Sequence, residues 1–212
     1  STLFPYTTLF RSITIVGTPA NMSAKQLREY GNWNCVALEG VFDFEGLSMD
    51  SYADRKVCVY ARGNRIISVL AVVDSDVTYN NVWVTEAHGN TLKAYISGVY
   101  REYEVSGLSD SFSDTIADIG LSDGRIKQLT VKKDTISGKV LRLGNDNIEL
   151  YGYGNVEIDD NFRVYKSYGE LEGKGINDIL VGYDLADFVV ADGKICAAVI
   201  KRELKADNIR VL

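Results

Sequence analysis

The sequence predicts an all-β protein: tandem small barrel-like units built from hairpins, with one short helix near the N-terminal end. Three observations support this fold class. Short runs rich in β-branched and aromatic residues recur at the roughly 8–12-residue spacing typical of sandwiches and barrels. Gly, Asn and Asp turns separate these runs, and only two prolines occur in 212 residues. A turn-and-strand pattern also repeats along the chain.

The composition is that of a globular protein and argues against several functions. Apolar residues make up 46% of the chain and charged residues 25%, both ordinary values. The net charge is −6, and Lys and Arg are spread without a basic run. This distribution argues against nucleic-acid binding and against electrostatic contact with anionic lipid. No stretch approaches the roughly 20 apolar residues of a membrane-spanning helix, so no membrane segment is predicted.

The first twelve residues, STLFPYTTLFRS, do not fit the rest of the pattern. A signal peptide has its basic residue before the apolar run, whereas Arg11 comes at the end of this one. A DNA sequence that encodes residues 1–12 in frame is similar to a common sequencing-library adapter. We therefore interpret residues 1–12 as an adapter artefact, set aside from fold reasoning, and expect the true reading frame to begin near Ile13.

One helix is predicted before the strands begin. Ser23 and Gln26 have the spacing of a capping box, the run continues to Tyr30, and Gly31 is a stop signal. The predicted strands are Val57–Tyr60, Ile66–Val73, Val82–Thr85, Leu92–Ile96, Ile126–Val131, Val140–Leu143, Ile148–Tyr151, Phe162–Tyr165, Phe188–Val190 and Ile195–Ile200.

Two strong hairpin signals and a weak repeat organise these strands. Asp123-Gly124 and Asp192-Gly193 suit the type I′ turn, which needs positive φ at both central residues. The segments GNRIISVLAVVDSDVTYNNVWV (63–84), DGRIKQLTVKKDTISGKVLRL (123–143) and DGKICAAVIKRELKADNIRVL (192–212) share one pattern. In the last two, Asp118 and Asp187 precede the turn at equal spacing. Repetition of a small β unit is favoured over chance similarity between hairpins.

We expect a first β unit with the short helix at residues 13–107 and a second at residues 108–206. Residues 207–212 would then form the first strand of a missing downstream domain, the chain being an internal fragment of a longer protein.

No catalytic, cofactor or metal site is predicted. His88 is the single histidine, so a zinc site is not predicted. A nucleophilic triad would have to use His88, and the G-x-S-x-G pattern of a nucleophile elbow does not occur. The segment GELEGKG (169–175) departs from a phosphate loop in spacing and in its last residue. Acidic side chains cluster at Asp43, Glu45 and Asp50, and Asp159 and Asp160 share a turn. Glycosidase chemistry would need a pair of carboxylates, but no spacing rule identifies such a pair, and solvated turns are the simpler explanation.

Cysteine and tyrosine each allow two interpretations. Cys35, Cys58 and Cys196 are an odd number at wide spacing, so a disulfide framework is not predicted. Cys58 and Cys196 lie in apolar strand patterns that favour small buried hydrophobes over reactive thiols. Thirteen tyrosines are unusual. They could stack against sugar rings, but half-buried strands also favour tyrosine.

Several stretches carry a family resemblance: GVFDFEGLSMDSYADRKVCVYARGNRI, AYISGVYREYEVSG, ILVGYDLADFVVADGKICAAVI and KADNIRVL. From about residue 36 onward the chain resembles the β-rich region upstream of the catalytic domain in SpoIID/LytB (sporulation stage II protein D-type) cell-wall proteins. The resemblance implies an extracytoplasmic location, with a membrane anchor in a missing N-terminal segment. The family's enzymes are lytic transglycosylases, but no residue here matches their catalytic segment.

The resemblance implies a non-catalytic accessory region of a peptidoglycan-remodelling protein, which positions the missing catalytic domain or docks a partner. The expected partners are peptidoglycan or another cell-wall protein. The alternative is a structural cell-surface repeat module with no associated enzyme.

Overall fold

The computed structural model describes residues 8–166, 171–173 and 185–202, and it confirms the all-β class with barrel-like units. The helix α1 spans Ala24–Tyr30, and a single 3-10 turn spans Asp50–Tyr52. The strands are β1 (Thr8–Gly17), β2 (Asn34–Ala37), β3 (Gly40–Phe44), β4 (Arg55–Arg62), β5 (Arg65–Asp74), β6 (Asp76–His88), β7 (Thr91–Ile96), β8 (Val99–Glu104), β9 (Phe112–Ser122), β10 (Arg125–Lys132), β11 (Thr135–Leu143), β12 (Asn147–Leu150), β13 (Gly154–Lys166), β14 (Leu171–Gly173), β15 (Leu185–Ala191) and β16 (Lys194–Arg202).

The capping box predicted at the helix start is present. Ser23 Oγ accepts a hydrogen bond from the Gln26 backbone N–H at 3.2 Å, and Gln26 Oε1 accepts one from the Ser23 N–H at 3.4 Å. The helix ends at Gly31, whose φ of 84° suits glycine. Two turns of helix are marginal alone, and α1 is held by packing Leu27 and Tyr30 against a buried core.

The first barrel consists of β1 to β5 and closes in the order β1-β2-β3-β5-β4. All pairs are antiparallel except β3 with β5, which is parallel. Residues 8–12, set aside in the sequence interpretation, form the first half of β1 and pair with β4 from Thr8↔Arg62 to Ser12↔Cys58; residues 1–7 lie outside the described residues. Inward side chains of β1, β3, β4 and β5 fill the interior, among them Ile13, Ile15, Phe42, Phe44, Val57, Val59 and Ile66.

The middle sheet consists of β6 to β10 in the order β10-β9-β6-β7-β8. One face packs on the first barrel and α1, in a core that combines Val16, Met22 and Val36 with residues of the sheet. The boundary expected between residues 107 and 108 falls inside this sheet, because β8 precedes it and β9, which follows it, pairs with β6. The described chain therefore has a sheet between its two barrels.

The second barrel consists of β11, β12, β13, β16 and β15. The ring closes because β12 pairs with both β11 and β13, and β14 adds an edge strand at the far end of β13. Each pairing matches one in the first barrel: β11 corresponds to β1, β12 to β2, β13 to β3, β15 to β4 and β16 to β5. The parallel pair is reproduced as β13 with β16. The two barrels thus have the same strand order and directions.

The hairpin turns have the geometry predicted from the sequence. Asp123 and Gly124 have φ of 49° and 75°, and Asp192 and Gly193 have 53° and 76°. The first and third repeat segments begin at the β4–β5 and β15–β16 turns, which are equivalent hairpins of the two barrels. The second begins at the β9–β10 turn of the middle sheet. The predicted strand at residues 207–212 lies outside the described residues, as does the third segment beyond Arg202.

Within the described part of the chain, no helix is long and apolar enough to cross a membrane.

Candidate functional site

The structure separates most of the residues that the sequence singles out. His88 ends β6 in an exposed position, with Nδ1 2.8 Å from Ser111 Oγ. Across residues 8–166, 171–173 and 185–202, no three His, Cys, Asp or Glu side chains are placed to hold a metal ion. Only residues 171–173 of the GELEGKG segment are described, as strand β14.

The cysteines are free, and two are fully enclosed. Burial raises the pKa of Cys35 from 9.0 to about 12, and burial also raises the pKa of Cys196. Thiolates are the reactive form of cysteine, so these two positions are poor nucleophiles. Cys58 is half-buried on β4. The interpretation as small buried hydrophobes therefore holds for Cys196 but not for the half-buried Cys58, and Cys35 is buried as well.

The first acidic cluster divides into two unrelated positions. Asp43 and Glu45 both pair with Arg65, at 3.3 and 3.6 Å. Asp50 lies in the 3-10 turn instead. Burial acts to raise the pKa of Asp50, but hydrogen bonds from the Ala20 N–H and from the Thr18 and Ser48 side chains lower it below its usual value. The lowered pKa of Asp50 is the opposite of what a general acid needs.

The second acidic pair also separates. Asp159 accepts a hydrogen bond from Asn81 Nδ2 at 3.1 Å, whereas Asp160 is exposed. Asp159 therefore has a structural role, whereas the neighbouring Asp160 is solvated.

A buried charge network joins the first barrel to the middle sheet. Asp54, just before β4, accepts hydrogen bonds from Arg101 Nη1 and Nη2 at 2.9 and 2.7 Å. It also accepts bonds from the Tyr79 and Tyr103 hydroxyls at 2.8 and 2.9 Å. Arg101 Nη1 donates in addition to the Val16 carbonyl at 2.6 Å. The Asp54 carboxylate is thus fully surrounded by donors, as a buried charge requires.

Electrostatics in this network favour its present protonation state. Burial, followed by the Asp54 carboxylate, raises the pKa of both Tyr79 and Tyr103 above the ordinary value of 10.0. Both hydroxyls therefore stay protonated and donate. The hydrogen bonds of the network run to Asp54 or to backbone carbonyls, so we assign the network a structural role.

A second polar network joins the middle sheet to the second barrel. It centres on Asn81, which is fully buried and has a φ of 55°. Asn81 Nδ2 donates to the Asn161 carbonyl at 2.9 Å, and the Tyr165 hydroxyl donates to the Asn81 carbonyl. Lys132 donates to Asn81 Oδ1 at 2.5 Å and pairs with Asp118 at 3.0 Å.

Asp118, singled out for its spacing from the turn, is thus part of this junction, since it also accepts a bond from the Asn81 N–H at 2.8 Å. Its repeat counterpart Asp187 accepts a bond from Ser137 Oγ within the second barrel. The equal spacing of the two aspartates reflects their hairpins and not a shared site.

A small cleft lies where the three units meet. Its volume is about 50 Å³, enough for a few water molecules and too small for a sugar ring. The lining includes Leu38 of the first barrel, Ser97 of the middle sheet and Arg163 of the second barrel. This cleft is therefore not a site for a polymeric ligand.

Most tyrosines among the described residues are buried or pack against a core, which supports the structural interpretation. Tyr79, Tyr103 and Tyr165 are buried. Tyr151 and Tyr153 are exposed in the β12–β13 turn, but a Cβ built on Gly138 would lie 4.0 Å from the Tyr153 ring. Tyr153 therefore covers the glycine of the neighbouring strand, and Tyr151 is the freer ring of the two.

The most exposed indole marks the rim of the first barrel. Trp33 is 60% exposed, and its ring meets the buried Phe44 edge-on at 6.5 Å. The Trp33 carbonyl accepts a hydrogen bond from the Phe44 N–H, which fixes Trp33 beside β3. Asp43, the residue before Phe44, pairs in register with Arg65 on β5, so the charged pair involves the strand beside Trp33, and the Asp43 side chain leaves that strand on the face opposite to Phe44.

We define the Trp33 rim as Trp33, Asp43, Glu45 and Arg65. It combines an exposed apolar ring with carboxylate and guanidinium groups of the neighbouring strands, and these groups suit the apolar face and the hydroxyls of a sugar. This rim was not predicted from the sequence, because tyrosine and not Trp33 was considered as the aromatic residue that could stack on a sugar. Arg101 was missed too, although VYREYE places an arginine at an inward position of an alternating strand.

No protein-family model matches the chain, and no curated protein matches it.

Proposed function

We propose that this chain is a non-catalytic β module of an extracytoplasmic, SpoIID/LytB-like peptidoglycan-remodelling protein. It binds glycan strands and so positions an associated catalytic domain on the cell wall. The resemblance of the chain from about residue 36 onward supports the family, and the Trp33 rim is the observation that supports glycan binding.

The side chains of the Trp33 rim are exposed, and their contacts contribute little to the stability of the fold. The charged residues beside it form exposed ion pairs, which are worth little to stability. Trp33 leaves more than half of its surface in water, and burying that apolar area against a sugar ring would be favourable. A glycan hydroxyl or carboxylate would find donors and acceptors at Arg65 and Asp43.

The two tryptophans give a direct test. Trp83 is only 4% exposed, and its indole Nε1 has no hydrogen-bond partner, so Trp83→Phe removes no hydrogen bond. In that variant Trp33 is the single fluorescent indole. We expect soluble glycan strands stripped of peptide to shift its emission to the blue and to protect it from acrylamide quenching.

Retention on insoluble purified peptidoglycan provides the second readout. Trp33→Ala should lower retention by about tenfold, the loss of one central aromatic contact. Tyr151→Ala, an equally exposed aromatic on the second barrel, is the matched control and should keep it. Retention no greater than that of an unrelated acidic protein, or equal retention of the Trp33 variant, would contradict glycan binding at the rim.

The alternative function is a structural cell-surface module without an associated enzyme. The observation that favours it is the pair of polar junctions, at Asp54 and at Asn81, which fasten three units into one body. That alternative predicts no retention on peptidoglycan and further DGKI-type hairpins in the parent protein, which resequencing of the source DNA across both ends would reveal.

A further inference from the structure

Strand β5 carries an unusual series of bulges. Its pairing with β4 skips one residue three times, so Ile67, Leu70 and Val73 have no opposite residue. These three side chains are 46%, 51% and 53% exposed. We call them the β5 stripe. Their three-residue spacing places successive apolar side chains about 10 Å apart along the strand.

The stripe borders an open side of the barrel. Strand β3 pairs with β5 only at Arg65 and Ile66. From Ile67 to Asp74, β4 is the only strand paired with β5 among the described residues. The neighbouring Val72 is also exposed, but it lies opposite the buried Val57 and so on the inward face of the strand. The three exposed side chains of the stripe form an apolar surface of a kind that marks interaction sites.

The second barrel shows what the same position looks like when it is covered. Strand β16 corresponds to β5, and its Ile195, Cys196 and Ala197 are buried. The cover includes Trp83 and Ile116 of the middle sheet, which pack on β16 in one apolar cluster. The corresponding strand of the first barrel has no such cover within the described chain.

The β5 charges at the two ends of the stripe are of opposite sign, and Lys56 of β4 lies opposite Asp74 at the acidic end. Arg62 and Arg65 face each other across the β4–β5 hairpin end, and both are exposed. Asp74 and Asp76, also exposed, follow the stripe at its other end. Two stripes laid antiparallel would therefore place arginines against aspartates at both ends. Asp43 and Glu45, already paired with Arg65, leave Arg62 as the less committed cation.

We propose that the β5 stripe binds a second copy of this chain in a two-fold arrangement, with the Arg62 end of each stripe beside the Asp74 end of the other. A two-fold interface uses the same patch on both copies, which the self-complementary charges allow. The contact is between side chains and not between strand edges, because bulges disrupt the ladder that edge pairing needs.

Sedimentation velocity over about 1–200 µM of the full chain tests the proposal. We expect a monomer–dimer equilibrium. Leu70→Ser combined with Val73→Ser should raise the dimer dissociation constant by at least about tenfold, because each substitution occurs on both sides of the interface. Leu141→Ser is the matched control, since Leu141 is 45% exposed on β11 of the second barrel, and it should leave the constant unchanged.

Charge reversal tests the orientation. Asp74→Arg should raise the dissociation constant about fivefold through like-charge contact with Arg62 of the other copy, and adding Arg62→Asp should restore it. Circular dichroism confirms that each variant is folded.

Three results would overturn the proposal. They are a monomer at every concentration, equal weakening by Leu141→Ser, and failure of the double charge reversal to restore association. A monomer that instead floats with vesicles of phosphatidylcholine and phosphatidylglycerol would identify the stripe as a lipid-binding surface and would also overturn it.

Discussion

The two barrels share one strand order but differ in how their last strand is covered. In the second barrel, the thirteen-residue β13 runs beside β16 from Ile158↔Ile195 to Tyr165↔Val199. In the first, the five-residue β3 reaches only the first two residues of β5. The longer third strand therefore pairs with more of the fifth strand in the second barrel, in addition to the cover that Trp83 and Ile116 give its side chains. The same topology builds a buried strand in one barrel and a surface in the other.

The junctions of the two barrels with the middle sheet differ in the same way. The first barrel is joined through Asp54 and Arg101, an ion pair with both side chains almost fully buried. The second is joined through the amide of Asn81, with the charged pair of Lys132 and Asp118 partly exposed beside it. Breaking the first junction should therefore cost more than breaking the second.

Arg101→Met gives the largest expected effect. It leaves the Asp54 carboxylate buried without its cation, so the free energy of unfolding should fall by about 3–5 kcal/mol. Adding Asp54→Asn removes the stranded charge, and Asn tolerates the left-handed φ of 60° at this position. Urea denaturation should show the double variant to be more stable than Arg101→Met alone; equal or lower stability would mean that the charge is not the main cost.

The second largest expected effect is a loss of stability at alkaline pH, which arises at the first junction. The folded-state pKa values of Tyr79 and Tyr103 are raised above 10.0, so above pH 10 the unfolded chain loses protons that the folded chain keeps. Stability is then present below about pH 10 and falls by about 1.4 kcal/mol per pH unit for each tyrosine as pH rises. Cys35 adds to this fall from about pH 9.

The measurement is the urea midpoint at several pH values between 9 and 11. Tyr103→Phe removes one titrating group, so its stability should decline less steeply over this range than that of the unsubstituted chain. Parallel declines for the two proteins would contradict the assignment of the effect to this junction.

Lys132→Met gives the smallest expected effect and tests the second junction. It removes the hydrogen bond to Asn81 and the pair with Asp118, for an expected loss of about 1–2 kcal/mol, because Asp118 remains partly hydrated and keeps its bond from the Asn81 N–H. The loss in the free energy of unfolding is measured by the same urea denaturation. A loss as large as that of Arg101→Met would show that the two junctions contribute equally to stability.

Local chemistry allowed the helix and many strands to be predicted. The capping box at Ser23 and the turns at Gly124 and Gly193 act within a few residues, so they are readable from sequence. Strand β9 was missed because its polar outward residues interrupt the apolar run, and β2 because it has only four residues. The barrel closures and the β6–β9 pairing join distant segments whose register the local pattern does not specify.

The candidate site was less predictable for the same reason. Trp33 becomes a rim residue only when β3 and β5 bring Asp43 and Arg65 alongside, and Asp54 acquires its partners from strands 25 to 49 residues away in the chain. Arg101 was also missed, but it could have been predicted, because an arginine at an inward strand position needs a buried counter-charge.

Strand β6 has a mechanical consequence. Its Tyr79 bonds to the first barrel and its Asn81, two residues later, bonds to the second, while β7 and β9 hold it on both sides. A pulling force applied between the barrels would load this strand together with β8, whose Arg101 bonds to Asp54, and β10, whose Lys132 bonds to Asn81. Under load, the three units should therefore yield together in a single rupture and not one after another.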